Sequence, residues 1–293
     1  MNPINLAREQ AEADRWTADT TANLGDPARA QAALRAVLHA LRDSLPVSEA
    51  VIIANRLPPL LRGIYTEGWH PHTPVPAAGR GEFLDRVAEG IAGAGLDSES
   101  ATRAVFATLD RMLGTVPELS DFRSPEPVPP GKAAKDLKAA ADRAALDGAP
   151  VPESPLPAKS LYSEPLQELD GWVGDLLDES GWTSREQALV AMIAVLQVLR
   201  DRLTVEQAFQ LGSRLPSALR GFYFENWDPE KPPAQADFML SVENKLAGAA
   251  NLPPEEATGS VFRLLSEKLK EGMRELRNRR RLNPTRSRPT EKR

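Results

Sequence analysis

Two stretches of the chain repeat one set of reactive and recognition side chains in one order. Arg56, Leu57, Pro58, Leu61, Arg62, Gly63, Tyr65, Glu67 and Trp69 are matched by Arg214, Leu215, Pro216, Leu219, Arg220, Gly221, Tyr223, Glu225 and Trp227. Asp43 and Asp201 precede them at the same spacing. On a helix that starts at the proline, Leu61 and Tyr65 share a face at a separation of four, and Arg62 and Tyr65 at three. An arginine beside a carboxylate, with a tyrosine hydroxyl and an indole at hand, can line a cleft for an anionic or aromatic ligand, the guanidinium serving as a bidentate anchor. The same residues also suit a structural lock. Tryptophan and tyrosine then fill the gap between helices, and Asp43 pairs with Arg56 or Arg62 at the buried end of the bundle. The two readings differ in one observable, whether Arg62 and Arg220 face solvent or protein.

Other chemistry is sparse. His70-Pro71-His72 offers two imidazoles, but Asp228 and Lys231 stand near those places in the second stretch, and an HxH pair without further ligands makes no metal site. His39 stands opposite Gln197 and reads as a surface or half-buried polar residue. Gly79-Arg80-Gly81 precedes a helix but lacks the strand that a phosphate loop needs. The chain has no HExxH, GxGxxG, P-loop lysine or GxSxG motif and no cysteine. No catalytic residue, metal or cofactor is assigned, and the protein is not expected to be an enzyme.

The elements that must position the repeated residues are themselves repeated. Leu41 to Pro71 aligns without a gap onto Leu199 to Pro229, with sixteen of thirty-one positions identical. That is too many for two helices that merely share a pattern, so the halves arose by duplication. The match extends to Trp16 with Trp172, Gly25 with Gly181, Phe83 with Phe238 and Phe106 with Phe262. Leu34, Val37, Leu38, Leu41 and Leu45 recur at helical steps, as do Met192, Val195, Leu196, Leu199 and Leu203. Asp26 before Pro27, and Thr183-Ser184 in the other copy, supply helix starts. Pro46 or Thr204 opens a second, short helix, which Leu57-Pro58 or Leu215-Pro216 ends and from which a third begins. Helices over Glu82 to Ala94 and Ser98 to Leu113 follow, with counterparts over Phe238 to Leu246 and Glu255 to Leu269.

The expected fold is therefore all-α, two tandem units of five to six helices joined by a Pro/Ala-rich linker. The boundaries are 1–113 for the first unit, 114–160 for the linker, 161–273 for the second unit and 274–293 for a basic, disordered tail. SPEPVPPG and APVPESPLPAK give the linker its extended character, and KAAKDLKAAADRAAL a short helix within it. Net charge is −5, yet the tail alone carries nine Lys/Arg against two Glu, so the body is acidic and the tail basic. Arg277, Arg279, Arg280 and Arg281 could contact a polyanion. The longest apolar run, Ala188 to Leu196, is half of what a bilayer requires, and the N-terminus lacks a signal-peptide pattern, so a cytoplasmic location is expected.

With those residues in view, both halves resemble the bacterial domain of unknown function 2267 family. LHALRDSLPVSEA, RLPPLLRGIYTEGWHP and EFLDRV carry the resemblance in the first copy, and LQVLRDRLTVEQAFQLGSRLP and LRGFYFENWDP in the second. It covers about three quarters of the chain and implies a small helical domain with no assigned activity, cofactor or catalytic residue. Units of that family often end in a second proline-leucine-arginine turn. Here the first copy keeps only a degenerate Val116-Pro117-Glu118-Leu119, and the second runs straight into the basic tail. The expected role is that of a non-enzymatic interaction or scaffold protein presenting duplicated surfaces to a protein partner or a second chain. The alternatives are a ligand pocket or enzyme site at Arg62, Tyr65, Glu67, Trp69 and Asp43 or at Arg220, Tyr223, Glu225, Trp227 and Asp201, and polyanion binding by the tail.

Overall fold

Prolines and short polar side chains set where the helices begin. The computed structural model describes residues 4–71, 79–114, 119, 122, 160–247 and 250–282, without the side chains of 271–282. Among the described residues there are twelve α-helices and no strand. The first copy supplies α1 (Leu6–Leu24), α2 (Pro27–Arg42), α3 (Val47–Arg56), α4 (Pro59–Tyr65), α5 (Arg80–Gly90) and α6 (Ser98–Leu113). The second supplies α7 (Ser163–Ser180), α8 (Arg185–Arg200), α9 (Val205–Gly212), α10 (Ser217–Tyr223), α11 (Phe238–Leu246) and α12 (Pro254–Leu282).

The Asp26 carboxylate accepts from the Arg29 amide at 2.8 Å, with Pro27 in the first helical position. Ser184 accepts from the Gln187 amide at 3.2 Å, and Thr204 and Gln207 form a reciprocal capping box. Pro58 and Pro216 end one helix and open the next. The all-α duplicated fold is thus present as expected from the sequence.

One boundary is corrected. The sequence reading ends the second unit at residue 273 and assigns no structure beyond it, whereas α12 continues to Leu282. MRELRNRRRL consists largely of good helix formers, and the next proline is Pro284. Arg277, Arg279, Arg280 and Arg281 therefore belong to the last turns of α12. The helix expected within the linker and His72 lie outside the described residues.

Contacts divide the chain into two compact units that cut across the copies. One comprises Asn5–Leu169 and Arg200–Ala234, the other Met1–Ile4, Asp170–Leu199 and Gln235–Arg293. In the first, α2 is the central helix, packed by α1, α5 and α6. Its Leu34, Val37, Leu38 and Leu41 are fully buried, as are Phe83, Val87 and Val105 opposite. In the second, α11 packs on α12 through Val242, Leu246, Ala257 and Val261, and Lys268 pairs with Asp175 at 2.6 Å. No helix among the described residues is long and apolar enough to cross a membrane.

Within the first unit the two copies meet directly. Helix α4 of one lies against α10 of the other, and the meeting is reciprocal. Pro59 corresponds to Ser217 and Gly63 to Gly221; the Ser217 carbonyl faces Gly63, and the Pro59 carbonyl faces Gly221. A β-carbon on either glycine would lie inside van der Waals contact with backbone, which cannot give way as a flexible side chain can. This is isologous contact of the kind that relates twofold partners. Gly63→Ala and Gly221→Ala should each lower unfolding free energy by about 2–4 kcal/mol. By contrast, Gly174→Ala, where a β-carbon meets nothing within 4 Å, should raise it by about 0.5–1 kcal/mol. Urea denaturation of the three variants is the check.

Candidate functional site

The repeated residues gather in the first unit, where the ends of short helices leave carbonyl groups without helical partners. Helix α3 stops at Arg56 because Pro58 forces Leu57 into extended backbone. The Arg62 guanidinium fills the gap. Its Nε donates to the Ala54 carbonyl at 2.8 Å, Nη2 to Leu57 at 2.9 Å and Nη1 to Gly221 of the other copy at 2.8 Å. Arg220 repeats the first two contacts at the end of α9, donating to the carbonyls of Gly212 and Leu215, each at 2.8 Å. Its Nη1 is buried without a hydrogen-bond partner. The two arginines are only 3% and 6% exposed, so both face protein.

The tyrosines share this internal role. Tyr65 is fully buried and donates to the Ala50 carbonyl at 3.1 Å; Tyr223 donates to Ala208 at 3.0 Å. Burial raises both phenol pKa values well above the ordinary range. Trp69 meets Tyr65 edge-on at 6.3 Å and Phe209 at 4.6 Å between centroids. Trp227 packs on Phe209 and Phe224, each at 5.3 Å. Its carbonyl accepts from the Asn55 amide at 2.8 Å.

The carboxylates are the more accessible members. Glu67 pairs with Arg35 and accepts from the Ser217 hydroxyl at 3.2 Å. Glu225 stands 3.9 Å from Arg62. Burial lowers the Arg62 pKa to about 10, with Glu225 opposing the shift; burial lowers that of Arg220 too. Asp43 pairs with neither Arg56 nor Arg62, contrary to the sequence reading of the lock. Its carboxylate takes both teeth of Arg42, at 2.8 and 3.0 Å, while Arg62 is held by carbonyls and Arg56 donates to the Leu113 carbonyl. Asp201 holds Arg200 through one carboxylate oxygen, Oδ1, which accepts from Nε and Nη2 at 2.8 and 2.6 Å.

Arg42 and Arg200 are the residues that the sequence reading missed. Arg42 Nη1 donates to the carbonyls of Tyr65 at 2.8 Å and Glu67 at 2.6 Å, capping the end of α4. Arg200 does so for Tyr223 and Glu225 at the end of α10. Their retention in both copies was the available signal. Each Asp-Arg neighbour pair orients a guanidinium for its carbonyls.

His39 lies beside this network, half-buried on α2, with Nε2 donating to the Ile64 carbonyl at 2.7 Å. Burial, aided by Arg42, lowers its pKa to about 4. His70 contacts the Gly68 carbonyl at 2.8 Å.

Fold and site together define a duplicated helical bundle whose repeated signature links the copies. Over residues 14–123 and 169–279 the chain matches the family described as an uncharacterized conserved protein, DUF2267, and it belongs to that family in two tandem copies. Comparison with curated proteins finds no match.

Arg62→Ala removes three carbonyl partners and should cost about 3–5 kcal/mol in urea denaturation; Arg220→Ala should cost about 1 kcal/mol less. A double variant that kept its melting temperature would instead assign these arginines to a ligand. For His39, the unfolded ring protonates near 6.5 and the folded ring only near 4. Its contribution is complete above pH 6.5 and is lost as pH falls from there through 4, to a ceiling of about 3 kcal/mol. His39→Gln should flatten that part of the stability profile relative to wild type.

Proposed function

We propose that the protein is a non-catalytic interaction protein in which the repeated Arg/Tyr/Glu/Trp residues build the joint between the copies and the exterior binds partners. One observation carries the reading. The Arg62, Tyr65 and Tyr223 side chains, and two of the three guanidinium nitrogens of Arg220, donate to main-chain carbonyls of the fold, and both arginines are nearly closed to solvent, which supports an internal, bracing role.

The first unit does present an open cleft, of about 430 Å³, between α3 and the turn after α10. Val51, Asn55 and Trp227 form its walls, Asp228 and Glu230 an acidic side, and Ile52 a 48% exposed apolar edge. In the other copy Gln210 takes the place of Ile52, so this surface is not a requirement of the repeated fold. A cysteine-free chain of this kind suits the cytoplasm.

A ligand at the repeated cluster is favoured only by Nη1 of Arg220, buried and without a hydrogen-bond partner. Polyanion contact is favoured by the arginine-rich final turns of α12. Affinity capture with chemical crosslinking, using the full chain as bait, tests the main reading. It should recover a specific protein partner, persist after nuclease treatment and in high salt, and weaken with Ile52→Asp. Recovery of nothing specific would sink the interaction reading, and capture abolished by nuclease would transfer the role to the basic helix end.

A further inference from the structure

Duplication provides an internal comparison for the cleft beside α3. On α9 of the second copy, Phe209 packs edge-on against Trp69 with ring centroids 4.6 Å apart, and so fills the corner between that helix and the turn after α4. On α3 of the first copy, Val51 holds the aligned position, one aromatic ring smaller, and Trp227 takes the part of Trp69. Where Phe209 closes one corner, Val51 leaves the other open, as a cleft of about 430 Å³, a size ordinary for recognition sites.

The rim has diverged in charge as well as in size. Asp228 and Glu230 align with His70 and His72, so two carboxylates border the cleft whereas the first copy's sequence has two imidazoles at those places. Asn226 aligns with Gly68, and both adopt left-handed backbone, at φ 52° and 67°. Glycine does so freely and asparagine at some cost, and here it adds a polar side chain to the lining. The wall also holds an acceptor without a donor. Asn55 is oriented by the bond from its Nδ2 to the Trp227 carbonyl, and its Oδ1 is buried with no hydrogen-bond partner. Serine stands at that place in the other copy. The polar groups gathered here are therefore chiefly acceptors, set beside apolar surface. Lys231, with its side chain 77% exposed, reaches Asp228 at 3.6 Å, a solvent-screened pair that a better-placed cation can replace.

We propose that this cleft docks a protein segment in which a lysine or arginine stands next to an apolar residue, the basic side chain laying its aliphatic stem on Val51 and Trp227 and giving its cationic head to Asp228 and Glu230. Charge complementarity selects the occupant. A long basic side chain matches both parts of the lining, because its methylenes bury against apolar surface while the head stays at the wet, acidic rim. An anionic segment is repelled by the same carboxylates, and a purely apolar one covers them without supplying a donor. Burial of the stem and of the apolar neighbour against Ile52 carries the affinity, which is why capture should survive high salt; the carboxylates carry the choice of partner. The proposal rests on the interaction reading and names the partner chemistry of its cleft.

The test is selection from a phage-displayed random heptapeptide library on the immobilised full-length chain, followed by fluorescence-anisotropy titration of the selected peptides. Enrichment of lysine or arginine beside an apolar residue is expected. Affinity should fall at least about fivefold when the basic residue of the peptide becomes glutamine, and as much with the protein carrying Asp228→Asn and Glu230→Gln together. Val51→Phe, which installs the other copy's ring, should also weaken binding, and Lys231→Ala, which removes the competing cation, should tighten it about twofold. The carboxylate and lysine variants change surface side chains and should leave the helical circular dichroism unaltered. Selection of acidic or purely apolar peptides, no selection at all, or affinity indifferent to the carboxylate variant overturns the proposal. Equal competition by n-pentylammonium gives the cleft to a small amine, and self-association lost with the carboxylate variant gives it to a second copy; either overturns it too. Affinity capture that recovers a specific protein while the library yields nothing would keep the interaction reading and remove only this site, so the two failures are separable.

Discussion

The close approach of α4 and α10 is the constraint on which the first unit depends. Two glycines, one from each copy, let main chain meet main chain, and no larger residue fits at either. Once the backbones are that near, water is excluded from the short helix ends around them, and every carbonyl there needs a partner from within the protein. The arginines answer that need. Arg62 and Arg220 serve the ends of α3 and α9, and Arg42 and Arg200 serve the ends of α4 and α10. The charge is held by desolvated carbonyl dipoles, with carboxylates at the margin, which is why burial depresses the Arg62 pKa without leaving the group unpaired.

This also accounts for the lengths of the helices. α4 and α10 span seven residues each, too few to hold themselves together in water. Each is bounded by proline at its start and by an arginine cap at its end. Tyr65 and Tyr223 hold α4 and α10 to the preceding helices of their own copies. The conspicuous motif is thus a set of braces for two short helices. Its arginine and tyrosine donors are directed at backbone carbonyls.

Helix periodicity, proline punctuation and the duplication were legible in the sequence because each is a local property. Ser98–Leu113 and Phe238–Leu246 fall where apolar spacing put them. The composition of the lock was legible too, but its wiring was not. Nothing in the spacing of Asp43 distinguishes a partner nineteen residues on from the arginine beside it. Arg42 reads as the polar end of an amphipathic helix, and only the fold brings the Tyr65 carbonyl to it. The overrun of α12 was missed for a different reason. A dense run of arginines was read as solvated coil on charge alone, although arginine is a strong helix former and no breaker intervenes before Pro284.

The two copies are not equal at the joint, and their side chains differ beside it. In the first, the Thr66 hydroxyl lies 3.3 Å from the Gly63 carbonyl as well as 2.9 Å from that of Arg62. In the second, Phe224 replaces the threonine and packs on Phe209 at 5.0 Å. The Gly221 carbonyl, with no such hydroxyl beside it, receives Arg62, whereas the matching nitrogen of Arg220 finds no equivalent acceptor. The copies thus differ here in a polar contact on one side and aromatic packing on the other, beside a buried Arg220 nitrogen that has no hydrogen-bond partner. Identity between the copies is kept at Gly63, Arg62 and Tyr65, which form the joint and hold the short helices beside it. It has been lost at Ile52, Asp85 and Thr66. Packing at the joint accounts for the first group, whereas the positions of the second lie outside the glycine-to-backbone contact itself.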